Sequence, residues 1–363
     1  MSVNSNRGEA ELGEADGRAK VIKSYIVRAW VFISVLISSF ALGGCSSIYS
    51  VVEFEVLEPA TVNFPDQVYQ LLFLNRAPLT PVVWDEANQE VLDARQLVIL
   101  DTLINNNLNR GTLEVLRHSP ITRFYMPIWL NERRTDTLAL EDKILTRREV
   151  DNICDTIGGD AIISLEYYYA GLKQHFDYYT DAPDEIQNNY YEVYNKIKWN
   201  IHLPGSPVPF DSYVTTDTLF YPVIENGTFV ETVYTGLEMI RDLFFESGFN
   251  YGRYLVPVWN HASRSLYRGK GDSLKLAVKY TDNGDWESAF SIWEGLTSSV
   301  DSTLVAKAYH NLAIYYELED QLDSASILVD MALGFDSLEA VQYYREELDV
   351  RLLNRKEIEK QVK

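Results

Sequence analysis

Cysteine and basic residues are scarce in this chain of 363 residues. Its two cysteines are too few for a disulfide framework or a four-thiolate zinc site. Lys and Arg together number 32 against 53 Asp and Glu, which gives a formal net charge of −21. Affinity for a nucleic-acid backbone comes from basic patches, which so acidic a chain does not offer. The composition therefore predicts that no nucleic acid is a partner.

Motifs of known catalytic or cofactor chemistry are also missing from the sequence. No two of the five histidines have the three- or four-residue spacing that places two zinc ligands on one helix face. The chain has no Gly-x-Ser-x-Gly motif and no phosphate-binding P-loop. We therefore expect no enzymatic activity, no metal and no cofactor.

The first 44 residues have the organisation of a signal peptide. Cations precede an apolar run at 29–42 that only three serines interrupt, and small residues follow it. A helix that spans a bilayer needs about 20 residues, and this run is shorter. We predict export and cleavage of residues 1–44. A short membrane anchor that stays attached is the alternative.

The apolar run ends in residues 42–45, Leu-Gly-Gly-Cys, which resemble the bacterial lipobox. The resemblance implies cleavage before Cys45 and acylation of its sulfur and amino group with palmitate-type chains. Several acyl chains on one residue anchor a protein stably, whereas a single chain does not. Neither Ser46 nor Ser47 is acidic, which favours the outer membrane over the inner one. The alternative is that Cys45 is an ordinary thiol after a conventional signal peptide.

The other cysteine, Cys154, lies in a pattern typical of a helix. Val150, Ile153, Cys154 and Ile157 fall on one face of that helix. A free cysteine at such a position behaves as a small apolar residue. We predict that Cys154 is a core residue without a disulfide partner.

The last third of the chain contains an internal repeat, offset by 36 residues as from Ala277 to Ala313. Its spacing resembles the tetratricopeptide (TPR) repeat, in which small residues let antiparallel helices approach and an aromatic residue fills the space beside them. Leu296 departs from the pattern, and a helix at 338–363 is expected to cap the array. A plain helical bundle is the alternative. The residues that carry the pattern are Ala277, Tyr280, Ala289, Ala313, Tyr316, Ala325 and Ala332.

The middle of the chain alternates between strand-like and helix-like patterns, which predicts a mixed α/β sandwich. Thr146 and Glu149 have the spacing of a helix capping box. The predicted fold class is therefore α+β, with a signal peptide at 1–44, an α/β domain at 45–267, and two TPR-like repeats plus a capping helix at 268–363. Strands are expected at 51–57, 69–75, 121–130, 161–167, 190–203 and 212–223, and helices at 92–117, 145–157 and 235–256.

Two short segments extend the resemblance over most of the chain. Residues 252–259 read GRYLVPVW and lead through Arg264 and Tyr267 into the repeats, while residues 57–60 read LEPA. Together with the lipobox, they resemble a family of uncharacterised Gram-negative lipoproteins. Members of that family join an N-terminal domain of unknown function to TPR repeats, and the family has no assigned activity.

These features predict a lipid-anchored scaffold whose repeats hold a protein partner in the cell envelope, since repeat grooves bind extended segments or helices. The alternative is that residues 45–267 bind an envelope glycan or peptide, or act as an enzyme, with the repeats as support. Aromatic faces suit both kinds of ligand, and the tyrosines at 167–169 and 178–179 are the candidate platform. Partner identity does not follow from the sequence.

Overall fold

The computed structural model describes residues 48–78, 94–121, 123–132, 144–175, 190–222, 224–226, 229–231, 235–269 and 272–362. They group into two compact units, each made from two separate stretches of chain. The repeat unit contains 48–52 and Ser263–Arg345, and the α/β unit contains Glu53–Ala262 and Glu346–Lys363. Within these described ranges, no helix combines the length and apolar character needed to cross a bilayer.

Strands and helices are both abundant, which confirms the α+β class. The strands are β1 Tyr49–Glu58, β2 Leu71–Asn75, β3 Ile128–Asn131, β4 Ala161–His175, β5 Tyr190–His202, β6 Asp211–Thr215, β7 Thr218–Pro222, β8 Ile224–Asn226, β9 Phe229–Glu231 and β10 Val258–Tyr267. The helices are α1 Ala94–His118, α2 Arg147–Ile157, α3 Gly236–Leu255, α4 Asp272–Asp282, α5 Trp286–Leu296, α6 Ser302–Leu318, α7 Leu322–Phe335 and α8 Glu339–Gln361.

The central sheet of the α/β unit is mixed, with strand order β3-β2-β4-β5-β6 and with β7 also paired to β5. β2 lies parallel to both β3 and β4, whereas β5 is antiparallel to β4, β6 and β7. Leu71, Leu72, Phe73 and Leu74 of β2 are all buried. A strand covered on both faces needs such a continuous apolar run, which is characteristic of parallel sheets.

Helices cover both faces of this sheet. Leu71 and Phe73 belong to the large core that contains the apolar side chains of α1 and α3. Leu72 and Leu74 point to the other face, where they pack with Cys154 of α2. Cys154 is therefore a free, buried core residue, as predicted. Its burial and the neighbouring aspartates raise the pKa of the thiol to about 11, so the sulfur stays protonated at neutral pH.

Glycines allow α1 and α3 to approach backbone to backbone. A Cβ atom on Gly111 would lie 2.1 Å from the carbonyl oxygen of Phe245, and one on Gly248 would lie 2.2 Å from that of Leu108. The Thr112 hydroxyl crosses the same contact and donates to the carbonyl of Gly248 at 3.0 Å. Only a residue without a side chain fits at such a separation.

Helix ends in the α/β unit follow local sequence signals. Thr146 and Glu149 form the predicted capping box at the start of α2, and Gly158 ends this helix with a φ of 84°. Thr235 and Glu238 form a second capping box at the start of α3. These caps satisfy backbone N–H groups that have no partner inside the helix.

Residues close to the end of α8 complete the α/β unit. The Gln361 side chain accepts the N–H of Ala60 at 2.9 Å and donates to its carbonyl at 2.8 Å. The same amide donates to Asn63 Oδ1 at 2.6 Å. One buried side chain therefore satisfies both backbone groups of a buried residue.

The C-terminal region is helical, as predicted, and its consecutive helices pack on one another from α4 to α7. Short connections join α4 to α5 and α6 to α7, which makes the members of each pair antiparallel neighbours. Tyr280 and Tyr316 are half-buried. The alanines of the repeat pattern are all fully buried; they are Ala277, Ala289, Ala313, Ala325 and Ala332.

Candidate functional site

A cleft of about 230 Å³ opens at one edge of the central sheet in the α/β unit. It lies where the parallel strands β2 and β3 end, and their last residues, Asn75 and Asn131, are paired in register. Helix α1, which follows β2 in the chain, forms one wall through residues 101–109. The carboxyl edge of parallel strands is where ligands bind in open α/β sheets.

The lining of this cleft is rich in amides, and we call it the amide cleft. It contains five asparagines, one threonine and one aspartate, but no Lys, Arg or His among the described lining residues. Aromatic and aliphatic side chains form the rest of its surface. The lining residues are Phe73, Leu74, Asn75, Asp101, Thr102, Asn105, Asn106, Asn109, Trp129, Leu130, Asn131, Leu165 and Trp199.

Hydrogen bonds fix the inner polar residues of the amide cleft. The Asn75 side chain donates to Asn105 Oδ1 at 2.5 Å and accepts the N–H of Ala77 at 3.1 Å. Asn105 in turn donates to the carbonyl of Asp101 at 2.8 Å. The Tyr168 hydroxyl donates to the Asp101 carboxylate. These side chains are therefore already held in one arrangement before any ligand arrives.

The outer amides of the cleft lack partners among the described residues. Within the described ranges, the side chains of Asn106, Asn109 and Asn131 have no hydrogen-bond partner, and Asn106 and Asn131 are exposed. Trp199 also lines the cleft, and its indole N–H is buried without a partner among those residues. Each amide offers both donors and an acceptor, so this side of the cleft presents free groups of both kinds.

Two tryptophans form the apolar part of the cleft. Trp129 of β3 is half-buried, with its ring centroid 4.2 Å from that of Phe73. Trp199 is only 3% exposed and stacks on Tyr251 with centroids 4.4 Å apart. Burial raises the pKa of the Tyr251 hydroxyl well above its usual value, so this ring is neutral. The apolar walls are thus packed against neighbouring rings and uncharged.

A second polar cluster is buried on the α2 face of the sheet. Arg76 Nη1 lies 2.8 Å from both carboxylate oxygens of Glu166, and the Ser164 hydroxyl donates to the same carboxylate at 2.6 Å. Burial lowers the pKa of His202 to about 4, although Glu166 acts in the opposite direction. A serine nucleophile is activated by a hydrogen bond to a base such as histidine. Ser164 instead donates to Glu166, so the cluster is built as a salt-bridge network.

The side of α6 that carries polar residues is covered by the chain's own strand β10, within the repeat unit. The Asn311 side chain accepts the N–H of Tyr267 at 2.7 Å and donates to its carbonyl at 2.9 Å. Nε2 of His310 lies 2.9 Å from the carbonyl of Ser265. Burial lowers the pKa of His310 to about 4, so this ring is neutral at pH 7. Side chains of α6 thus bond the backbone groups of β10, as they would bond those of an extended peptide ligand.

A buried ion pair fixes the same strand to α6. Arg264 Nε and Nη2 each lie 2.9 Å from a different carboxylate oxygen of Glu317. The side chain of Glu317 is fully buried and that of Arg264 is 8% exposed. This two-pronged geometry is the strong form of a charged hydrogen bond.

Of the residues predicted from the sequence, Tyr168 contacts the amide cleft, through its hydrogen bond to Asp101. Cys45, with Tyr178 and Tyr179, lies outside the described residues. Tyr168 is a core residue in edge contact with Phe244, at a centroid distance of 5.9 Å, so it is not an exposed platform. The described ranges hold no group of three or more His, Cys, Asp or Glu placed to bind a metal ion.

Sequence reasoning missed the amide cleft, although α1 carries a signal for it. Residues 105–107 are three consecutive asparagines, and Asn109 follows them. Asparagine is a poor helix former because its side chain competes for backbone hydrogen bonds. Four of them in two turns of a helix indicate a requirement other than helix stability.

Two family models match separate parts of the chain. Domain of unknown function (DUF8603) matches residues 127–267, and Domain of unknown function (DUF6340) matches residues 275–346. Neither match covers half of the chain. They support the prediction of an uncharacterised family and bring no activity with them. A comparison with curated proteins gives no match.

Solved structures show only remote likeness. A Helicobacter pylori protein described as a "neuraminyllactose-binding hemagglutinin homolog" is 8% identical, over 53% of this chain and 86% of that one, with a TM-score of 0.29. The PelC dodecamer of Paraburkholderia phytofirmans is 8% identical, over 56% of this chain and 98% of that one, with a TM-score of 0.22. TM-scores this low support no argument about the fold or the function of this chain.

Proposed function

We propose that this protein is an envelope-attached binding protein whose amide cleft binds a small, uncharged, polar molecule. The observation that carries the proposal is the lining of the cleft, which combines five asparagines with two tryptophans and has no basic residue among its described members. Small-molecule sites combine apolar and aromatic walls with a few polar groups that set orientation. The amide cleft has both components.

Charge narrows the class of ligand. An anion would meet no cation among the described lining residues. The one carboxylate of the lining, Asp101, already accepts a hydrogen bond from Tyr168, which reduces its attraction for a cation. Free amides pair equally well with donors and acceptors of a neutral molecule. The proposal assigns binding and no catalysis, because no nucleophile is paired with a base among the described lining residues.

Blocking the cleft tests this function. In a thermal-shift screen of neutral sugars, nucleosides and dipeptides blocked at both ends, at least one compound should raise the melting temperature of the wild type. A ligand at 100 times its Kd stabilises the folded state by about 2.7 kcal/mol. Asn109→Leu, which places an aliphatic side chain in the cleft, should abolish that shift. Asn354→Leu, a half-buried helical asparagine outside the lining, is the matched control and should retain it. If the ligand still raises the melting temperature of Asn109→Leu, it binds outside the amide cleft.

Attachment to the membrane through Cys45 is part of the proposal, and the lipobox-like residues 42–45 support it. Cys45→Ser removes the acyl acceptor, so labelling of cells with an alkyne fatty acid should mark the wild type but not this variant. Cys154→Ser is the control, because that thiol is buried and protonated, and its labelling should equal that of the wild type. Equal labelling of the wild type and Cys45→Ser would contradict lipidation.

The repeat unit as a protein-binding scaffold is the second candidate function. Its helix pairs and buried alanines support the TPR-like pattern, and α7 carries an exposed apolar stripe of Ile327, Met331 and Phe335. The polar side of α6 is a poor place for a partner because β10 covers it. A pull-down from membranes with the Met331→Glu variant tests whether this stripe binds a partner. If the variant captures the same proteins as the wild type, the stripe is not the binding surface.

A further inference from the structure

Building on the proposed function, we propose that the amide cleft binds one ring of a neutral saccharide. The ring packs against Trp129, and its hydroxyl groups pair with Asn106, Asn109 and Asn131. Three features of the cleft support this assignment independently: its volume, its asparagine side chains and the indole ring of Trp129.

The volume of the cleft selects a ligand of about one ring. At about 230 Å³, the cleft is smaller than the roughly 300–1,000 Å³ typical of sites for drug-sized ligands. A longer glycan would leave its remaining rings outside the cleft, in solvent. The site is therefore suited to a single sugar unit, either free or at the end of a chain.

The hydroxyl groups of a sugar ring can form hydrogen bonds with the outer amides of the cleft. Each sugar hydroxyl both donates and accepts, and so does each of the three asparagine side chains that have no partner among the described residues. These amides can therefore bond a sugar hydroxyl in either direction.

The indole of Trp129 supplies the apolar wall that a sugar ring needs. It is half-buried, so one part of the ring system stays open to the cleft, while its contact with Phe73 holds it in place. The C–H face of a pyranose is apolar and packs on aromatic rings. The polar and apolar sides of the cleft thus match the two sides of one sugar ring.

A peptide is the rival ligand, and it would bind differently. β3 is an edge strand of the central sheet within the described residues. An extended peptide would add to that edge through main-chain hydrogen bonds, which do not depend on asparagine side chains. The variants Asn106→Ala and Trp129→Ala therefore separate the two ligands.

The test is calorimetric titration of the full chain with glucose, galactose, N-acetylglucosamine and the dipeptide Gly-Gly. At least one sugar should bind saturably. Trp129→Ala should raise its Kd about tenfold, Trp129→Phe should restore part of the loss, and Asn106→Ala should raise the Kd about fivefold. Trp259→Ala, an exposed tryptophan of the α/β unit outside the cleft, should leave the Kd unchanged.

Two outcomes would contradict the proposal: one rejects the class of ligand and the other rejects the site. Binding of Gly-Gly but of no sugar, lost in Asn109→Leu, would keep the cleft as a binding site and reject its saccharide class. Sugar binding that persists unchanged in both Asn106→Ala and Trp129→Ala would reject the site itself. Asn106 is exposed, so its variant should fold even if Trp129→Ala does not, and the comparison then rests on Asn106→Ala and Trp129→Phe.

Discussion

Gly248→Ala should destabilise the α/β unit by about 3 kcal/mol, the upper end of the usual range for overpacking. The added Cβ would lie 2.2 Å from the carbonyl oxygen of Leu108 and 2.9 Å from its Cα. These are backbone atoms of a long helix, so relief requires α1 and α3 to separate along their whole contact. Separation would also stretch the hydrogen bond from Thr112 to Gly248. Urea unfolding, followed by circular dichroism, measures the loss as a lower midpoint.

Gly295→Ala is the matched control for this result. Gly295 is also a glycine within a helix, but a Cβ there would meet no atom within 4 Å. Alanine should stabilise that helix by up to about 1 kcal/mol, because it restricts the unfolded chain. An unchanged midpoint for Gly248→Ala would mean that the two helices are not in backbone contact.

Removing one partner of the buried Arg264–Glu317 pair should cost about 3–5 kcal/mol. Glu317→Leu leaves the Arg264 guanidinium, 8% exposed, without its carboxylate. The double variant Arg264→Met with Glu317→Leu should recover most of the loss, because no uncompensated charge remains. Chemical denaturation of the single and double variants completes the cycle, and the coupling energy should exceed 1 kcal/mol.

An exposed ion pair serves as the comparison for that cycle. Arg241 Nη2 and Asp242 lie 2.8 Å apart, with side chains 45% and 37% exposed. Arg241→Ala should therefore leave the unfolding midpoint close to that of the wild type, since solvent screens the pair. If Glu317→Leu and Arg241→Ala lower the free energy of unfolding by similar amounts, burial does not strengthen the Arg264–Glu317 pair.

Local patterns predicted much of the α/β unit. The capping box of Thr146 and the helix that follows Thr235 depend on neighbouring residues alone, and both were found at the expected positions. The single strand expected at 212–223 is divided into β6 and β7. The reason is not local, because Asp217 exchanges hydrogen bonds with the backbone and side chain of Asn195 on β5. Likewise, β10 was not predicted, and its pairing partner β1 lies about 200 residues away along the chain.

The amide cleft was beyond prediction from one sequence for a similar reason. Asn75, Asn105 and Asn131 come from a strand, a helix and a second strand, and only the parallel register of β2 and β3 brings the first and last side by side. The close contact at Gly248 was easier to predict from the sequence, since Gly248 and Gly252 are spaced by one helical turn. That spacing indicates a close helix approach but does not identify α1 as the partner.

The two hydrogen bonds between Gln361 and Ala60 have a consequence for the order of events during synthesis. They join residues separated by 301 positions, so the ribosome must pass residue 361 before this contact can form. Until then, the backbone N–H and C=O of Ala60 lack the protein partners that they have in the folded unit. This contact of the α/β unit therefore depends on a segment that is synthesised only after residues 263–345 of the repeat unit.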